Sequence, residues 1–131
     1  MLVRNHMSTP AVTIASDADY KTALRLMQEN GMHHVPVVDA AGRLVGIAAE
    51  RDLLRAATHY LQSAVEIGDI MHRGVVTVSP ETPITRAAAL MVEKRIGGLP
   101  VVDESDGVIG IITETDIFRA LVRSLDELQA A

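Results

Sequence analysis

The chain repeats itself. Displaced by 64 places, positions 7–56 fall on positions 71–120 without a gap, and 17 of the 50 pairs are identical. Met7 meets Met71, Val12-Thr13 meets Val76-Thr77, and Leu26-Met27 meets Leu90-Met91. Pro36-Val37-Val38-Asp39 recurs as Pro100-Val101-Val102-Asp103, and Glu50, Asp52, Arg55 and Ala56 as Glu114, Asp116, Arg119 and Ala120. An ungapped match of this density marks a tandem duplication, so one supersecondary unit must serve twice. A unit of about 50 residues buries too little surface to be secure alone. The simplest stable arrangement pairs the halves about a pseudo-twofold axis and leaves grooves where their sheets meet. The expected division is repeat 1 over 1–60, a linker over 61–70, and repeat 2 over 71–131.

Each half reads as strand, helix, strand, strand, helix, which gives an α+β fold of sandwich-like layering. Val75-Val76-Thr77-Val78 is β-branched and strand-like. Thr82-Pro83 reads as a helix N-cap followed by proline at the first helical position. Ile84, Ala87, Ala88 and Met91 then recur at helical spacing, as Tyr20, Leu24 and Met27 do in the first half, where Asn30-Gly31 supplies the stop. Leu99–Val102 and Val108–Ile112 flank the turn Asp103–Gly107 and predict a hairpin. The closing helix is expected to bury Ile117, Phe118, Leu121, Val122 and Leu125 as one stripe.

Composition removes several function classes. Apolar residues make up 48% of the chain, but there is one Phe, two Tyr and no Trp, so the aromatic platforms that stack single-stranded bases are missing. A net charge of -5 is the wrong sign for gripping a phosphate backbone, and nucleic acid is not an expected partner. The sequence has no cysteine, which excludes disulfides and thiolate metal sites and suits a reducing compartment. Met1–His6 has no apolar core of a signal peptide, and no apolar run is long enough to span a bilayer. A soluble, cytoplasmic protein without membrane partners is expected. No Gly-x-Ser-x-Gly elbow, phosphate-binding loop or His-Glu-x-x-His is present, so no enzyme activity is expected. Asp17 and Asp19 near a helix start read as dipole partners.

The order Met-x-x-x-x-Val-Thr, amphipathic helix, Leu-Pro-Val-Val-Asp, then Gly-Ile-Ile-Thr-Glu-Thr-Asp resembles the CBS domain, and both halves show the pattern. Two such repeats form a CBS pair, or Bateman module. Arg95–Pro100 with Ile112–Ala120 is similar to the CBS portion of acetoin-utilization-type proteins. Those often carry a further C-terminal regulatory domain, which is not expected in a chain ending at Ala131.

The resemblance implies a non-catalytic regulatory module. It would bind AMP, ADP, ATP or S-adenosylmethionine in the cleft between the repeats, in the manner of energy sensing, and signal to an unidentified protein partner or to an oligomer. A homodimer is expected. The resemblance also implies that the hydroxyl and carboxylate of Gly-x-x-Thr-x-x-Asp hold a ribose, here Gly110, Thr113 and Asp116, with Thr115 nearby. A carboxylate suits that task because its oxygens accept from the vicinal 2′- and 3′-hydroxyls. Carried over in the same way, Asp116 would face His33 and His34 at the ligand's phosphates, while Thr9, Pro10 and Val12 line its adenine end, and Ile111 belongs to the same site. An imidazole donates to phosphate from both nitrogens only when protonated, so such binding should strengthen on acidification. A second, weaker site would use Asp52 and Arg51 with Gly97 and Gly98, but Ala49 stands where the hydroxyl belongs.

Plainer readings stand beside these. Thr113-Glu114-Thr115-Asp116 is also a capping box, and the two roles can coexist. His33 and His34 also read as one surface and one core-packed residue, and adjacent strand positions pointing to opposite faces make a metal site unexpected. Arg51 reads equally as a solvent-exposed helix residue. The whole chain could be a structural or interaction module with vestigial ligand sites.

Overall fold

The computed structural model describes residues 1–59 and 65–130. Its elements run β1 (Ile14–Ala15), α1 (Tyr20–Glu29), β2 (His34–Val38), β3 (Leu44–Ala49) and α2 (Glu50–His59), then α3 (Ile84–Lys94), β4 (Gly98–Val102), β5 (Val108–Thr113) and α4 (Glu114–Ala130). The fold is mixed α+β with the unit present twice. Of the expected linker over 61–70, residues 61–64 lie outside the described residues, and Ile67–Asp69 form a 3-10 turn.

The chain divides into two compact units, and neither is a simple half of the sequence. One comprises Val12–Val75 with Ser105–Val108; the other comprises Met1–Ala11, Val76–Glu104 and Ile109–Ala131. The segment that opens each repeat therefore folds onto the body of the other. In the first unit, β1 pairs parallel with β2, and β2 pairs antiparallel with β3 in the register Pro36↔Ile47. Its core holds Ile14, Tyr20, Ala23, Met27, Val35, Val37, Ala48 and Leu53, closed by Ile67 and Met71. Asp19 caps α1 by accepting from the Lys21 N–H at 2.7 Å, and Asn30 with a left-handed Gly31 ends it. The second unit repeats seven of these positions 64 residues on, as Val78, Ile84, Ala87, Met91, Leu99, Val101 and Ile112, adds Ala120 and is closed by Val3; Leu53 is answered there by the half-buried Ile117. Each Val, Leu, Ile or Met side chain among these contributes about 1.5–3 kcal/mol on full burial.

The leading segments are held by matching hydrogen bonds. In one unit Ile67 N–H donates to Ala18 O (2.8 Å) and Gly68 N–H to Ser16 O (2.8 Å). In the other Val3 N–H donates to Thr82 O (2.8 Å) and Arg4 N–H to Pro80 O (3.0 Å). These pairs also differ by 64, so the structural repeat begins at Val3 and Ile67, ahead of the Met7/Met71 pair where sequence identity begins.

Three expectations need correction. Val75–Val78 is not a full strand: only Val78 bridges Val101, because the preceding residues belong to the crossover between units. Thr82 does not cap α3. Its hydroxyl accepts from Ser79 N–H at 3.0 Å, and Pro83 itself is the N-cap. The stripe of α4 is not buried: Phe118, Leu121, Val122 and Leu125 are exposed, Phe118 by 61%, while Ala120 and Asp116 face inward and Ile117 is half-buried. Periodicity located the apolar face correctly, but its own unit presents no partner to it.

Candidate functional site

The last residue of β5 and the first turn of α4 build the candidate site. Thr113 ends the strand and Asp116 lies in the first turn of the helix. Thr113 N–H donates to Asp116 Oδ2 at 2.9 Å, the Thr113 hydroxyl donates to the same oxygen at 3.1 Å, and Asp116 N–H reaches Thr113 Oγ1 at 3.4 Å. This is the capping box anticipated from the sequence. Asp116 is only 6% exposed and is the one buried charged side chain among the described residues. Its burial is tolerated because the carboxylate accepts two hydrogen bonds and sits at the positive end of α4.

The cap leaves the two carboxylate oxygens unequal. Oδ2 accepts two bonds from Thr113, whereas Oδ1 has only Arg119 Nη1 at 3.8 Å. The sequence reading gave both oxygens to a diol. The geometry offers Oδ1, with the Thr113 hydroxyl beside it as a second polar atom.

The N-terminal segment lies alongside. Ser8 N–H donates to Ile111 O at 2.9 Å and Ile111 N–H to Ser8 O at 3.2 Å. Gly110 is required for this approach, since a Cβ there would stand 2.8 Å from Ser8 O and 3.0 Å from Thr9 Cγ2. Of the residues singled out from sequence, Thr9, Pro10, Ile111, Thr113, Thr115 and Asp116 thus fall within one unit, as do Gly97 and Gly98. Val12, His33, His34, Arg51 and Asp52 belong to the other. Thr115 is exposed, Gly98 is buried and Arg51 is exposed.

The equivalent position in the first unit is arranged differently. Asp52 Oδ2 lies 2.7 Å from His72 Nε2, and Glu50 Oε1 lies 3.3 Å from His33 Nδ1. Both carboxylates in the first turn of α2 therefore have imidazole partners. His33 is exposed, and His34, half-buried on β2, pairs with Ala49. His72 escaped the sequence reading, although the repeat places it where the other half has Ser8, and Ala49 where the other has Thr113. No group of three or more His, Asp or Glu suited to a metal ion occurs among the described residues.

Comparison with known proteins agrees with this architecture. The family model of the CBS domain matches residues 3–59 and 67–123, and the chain belongs to that family. A CBS domain-containing protein of Dictyostelium discoideum is 34% identical over 137 residues, covering 96% of this chain and 94% of that protein. The L-aspartate semialdehyde sulfurtransferase of Methanocaldococcus jannaschii is 35% identical over 118 residues, but the match spans 90% of this chain and only 23% of the enzyme. Among solved structures, the CBS domain pair of protein MJ0100 in complex with 5′-methylthioadenosine and S-adenosylmethionine superposes with a TM-score of 0.86 at 32% identity, covering 95% of this chain and 98% of that one. CBSX2 in complex with AMP gives 0.83 at 28% identity, with 93% and 96% covered. The AcuB protein of Vibrio cholerae, named for acetoin utilization, gives 0.86 at 31% identity, with 100% and 97% covered.

Proposed function

We propose that this CBS pair is a non-catalytic regulatory module that binds an adenosyl ligand, with the ribose held at Thr113 and Asp116. The observation that carries the reading is Asp116: a carboxylate buried to 6% exposure, fixed by its own cap, with Oδ1 left to accept from a diol. Two similar CBS pairs were solved with AMP or with S-adenosylmethionine and 5′-methylthioadenosine, which supports an adenosyl ligand and leaves AMP, ADP, ATP and S-adenosylmethionine as the candidates. The reading places Thr9, Pro10 and Val12 at the adenine, counts Ile111 in the same site, and gives the phosphates of a nucleotide to His33 and His34. Calorimetry with the four candidates tests it. Binding of at least one, weakened in Asp116→Ala, is expected; no binding at millimolar concentration refutes it.

The reading includes a homodimer. Phe118, Leu121, Val122, Leu125 and Leu128 form an exposed apolar stripe along α4. Arg119 and Arg123 flank its first half, Asp126 and Glu127 its second. Two copies of this helix running antiparallel bring opposite charges together, so the surface complements itself. A ligand that favours one arrangement of such an assembly would shift it, which is how binding would be signalled to a partner. A cytoplasmic location belongs to the same reading and suits a cysteine-free chain. The second reading, an interaction module with vestigial sites, draws support from Asp52, whose carboxylate is already engaged.

A further inference from the structure

The two Gly-x-x-x-x-x-Asp segments of this chain place their carboxylates alike and partner them differently. Asp116 is held from within its own turn by Thr113. Among the described residues Asp52 shows no such holder: Ala49 occupies the equivalent position and lacks the hydroxyl that supplies one of the two bonds to Asp116. Its Oδ2 instead meets His72 Nε2 at 2.7 Å. The backbone of His72 is fixed for this purpose: its N–H donates to Ile47 O at 2.9 Å and Ile47 N–H donates to its O at 3.0 Å. Ser8 makes the same backbone pair with Ile111, and its side chain is too short to play the imidazole's part. Gly46 keeps the approach close, since a Cβ there would lie 2.9 Å from His72 O. Two substitutions between the repeats, Thr113 against Ala49 and Ser8 against His72, thus act together: one removes the hydroxyl that holds the carboxylate, the other supplies an imidazole that takes it.

We propose that His72 is a specificity-determining residue that holds the Asp52 carboxylate and denies it to a ribose diol, so that the chain takes an adenosyl ligand at Asp116 alone. The inference rests on the reading of Asp116 as a ribose ligand and extends it to the second position. The 2.7 Å contact is the length of a charge-assisted hydrogen bond. An imidazole protonated at Nε2 makes that bond whether or not Nδ1 carries a proton, so the block does not depend on a particular charge state. A diol must displace the imidazole to reach the carboxylate, and the lost bond is charged against its affinity. His72 is 67% exposed and its replacement leaves the core intact.

The test counts AMP per chain by calorimetry in the wild type, in His72→Ser/Ala49→Thr, and in both backgrounds with Asp116→Ala. One AMP is expected for the wild type and two for the double variant, with none and one respectively once Asp116 is removed. A wild type that binds two, or a double variant with no more sites than the wild type, overturns the inference and leaves the Asp116 reading intact. A wild type that binds none while the double variant binds one upholds the block and overturns the Asp116 reading. Absence of binding in every variant overturns both. Independently, the imidazole nitrogen resonances of His72 should move when Asp52 is changed to Asn; if they stay put, the pairing and the inference fall together.

Discussion

Asp116 carries one duty in the structure, the cap, and a second in the proposed reading, and the two fall on different oxygens. Oδ2 closes the first turn of α4, while Oδ1 faces only the distant Arg119 guanidinium. Removing the carboxylate should therefore be felt twice. Asp116→Ala loses an N-terminal cap and should lower stability by about 0.5–2 kcal/mol, read from urea unfolding. The same variant should bind AMP at least tenfold more weakly, read by calorimetry, while still unfolding in one cooperative step. Asp52→Ala, whose carboxylate is held by His72, should leave AMP affinity nearly unchanged. Equal losses at the two aspartates would contradict the assignment. The Thr-x-x-Asp pattern was legible as a cap. What the sequence could not show was which lone pairs the cap consumes, since that depends on the side-chain rotamer.

At the scale of elements, the leading segments matter more than their length suggests. Met1–Ala11 adds Val3 to the core of the second unit and pairs Ser8 with β5. Gly110 permits that pairing, because the atom a Cβ would strike first is backbone, Ser8 O at 2.8 Å. Gly110→Ala should cost about 1–3 kcal/mol and speed amide hydrogen exchange at Ser8 and Ile111. If exchange there is unchanged, the segment is not anchored as described. Helices and hairpins were legible because their periods are local, although the cap expected at Thr82 fell on Pro83. The exchange of leading segments was not, since Val3/Ile67 differ in identity and the hydrogen bonds that hold them run between residues about 50 to 80 positions apart. The apolar stripe of α4 was legible as a stripe, but hydrophobic periodicity says which face is apolar and nothing of what covers it.

For the whole molecule, duplication explains both the shared scaffold and the divergence of its two sites. Most of the core coincides at the offset of 64, from Ile14/Val78 to Ala48/Ile112 and again at Ile67/Val3, because a packed interior constrains both copies alike. The copies differ in the partners of the two aspartates, Thr113 against Ala49 and Ser8 against His72. The exposed stripe on α4 belongs to this scale as well. Light scattering after size-exclusion chromatography should give about twice the 14.1 kDa chain mass at micromolar concentration, and Phe118→Glu/Leu125→Glu should reduce it to the chain mass. A wild type that elutes as a monomer removes the homodimer. A saturating ligand at about 100 times its Kd should raise the unfolding free energy by about 2.7 kcal/mol.

The most direct test is an amide NMR titration with AMP. The account predicts that the largest shift changes fall on Ser8, Thr9, Ile111, Thr113 and Asp116, with Ala49 and Asp52 little affected. Changes centred on Asp52, or none near Asp116 under saturating AMP, would contradict it.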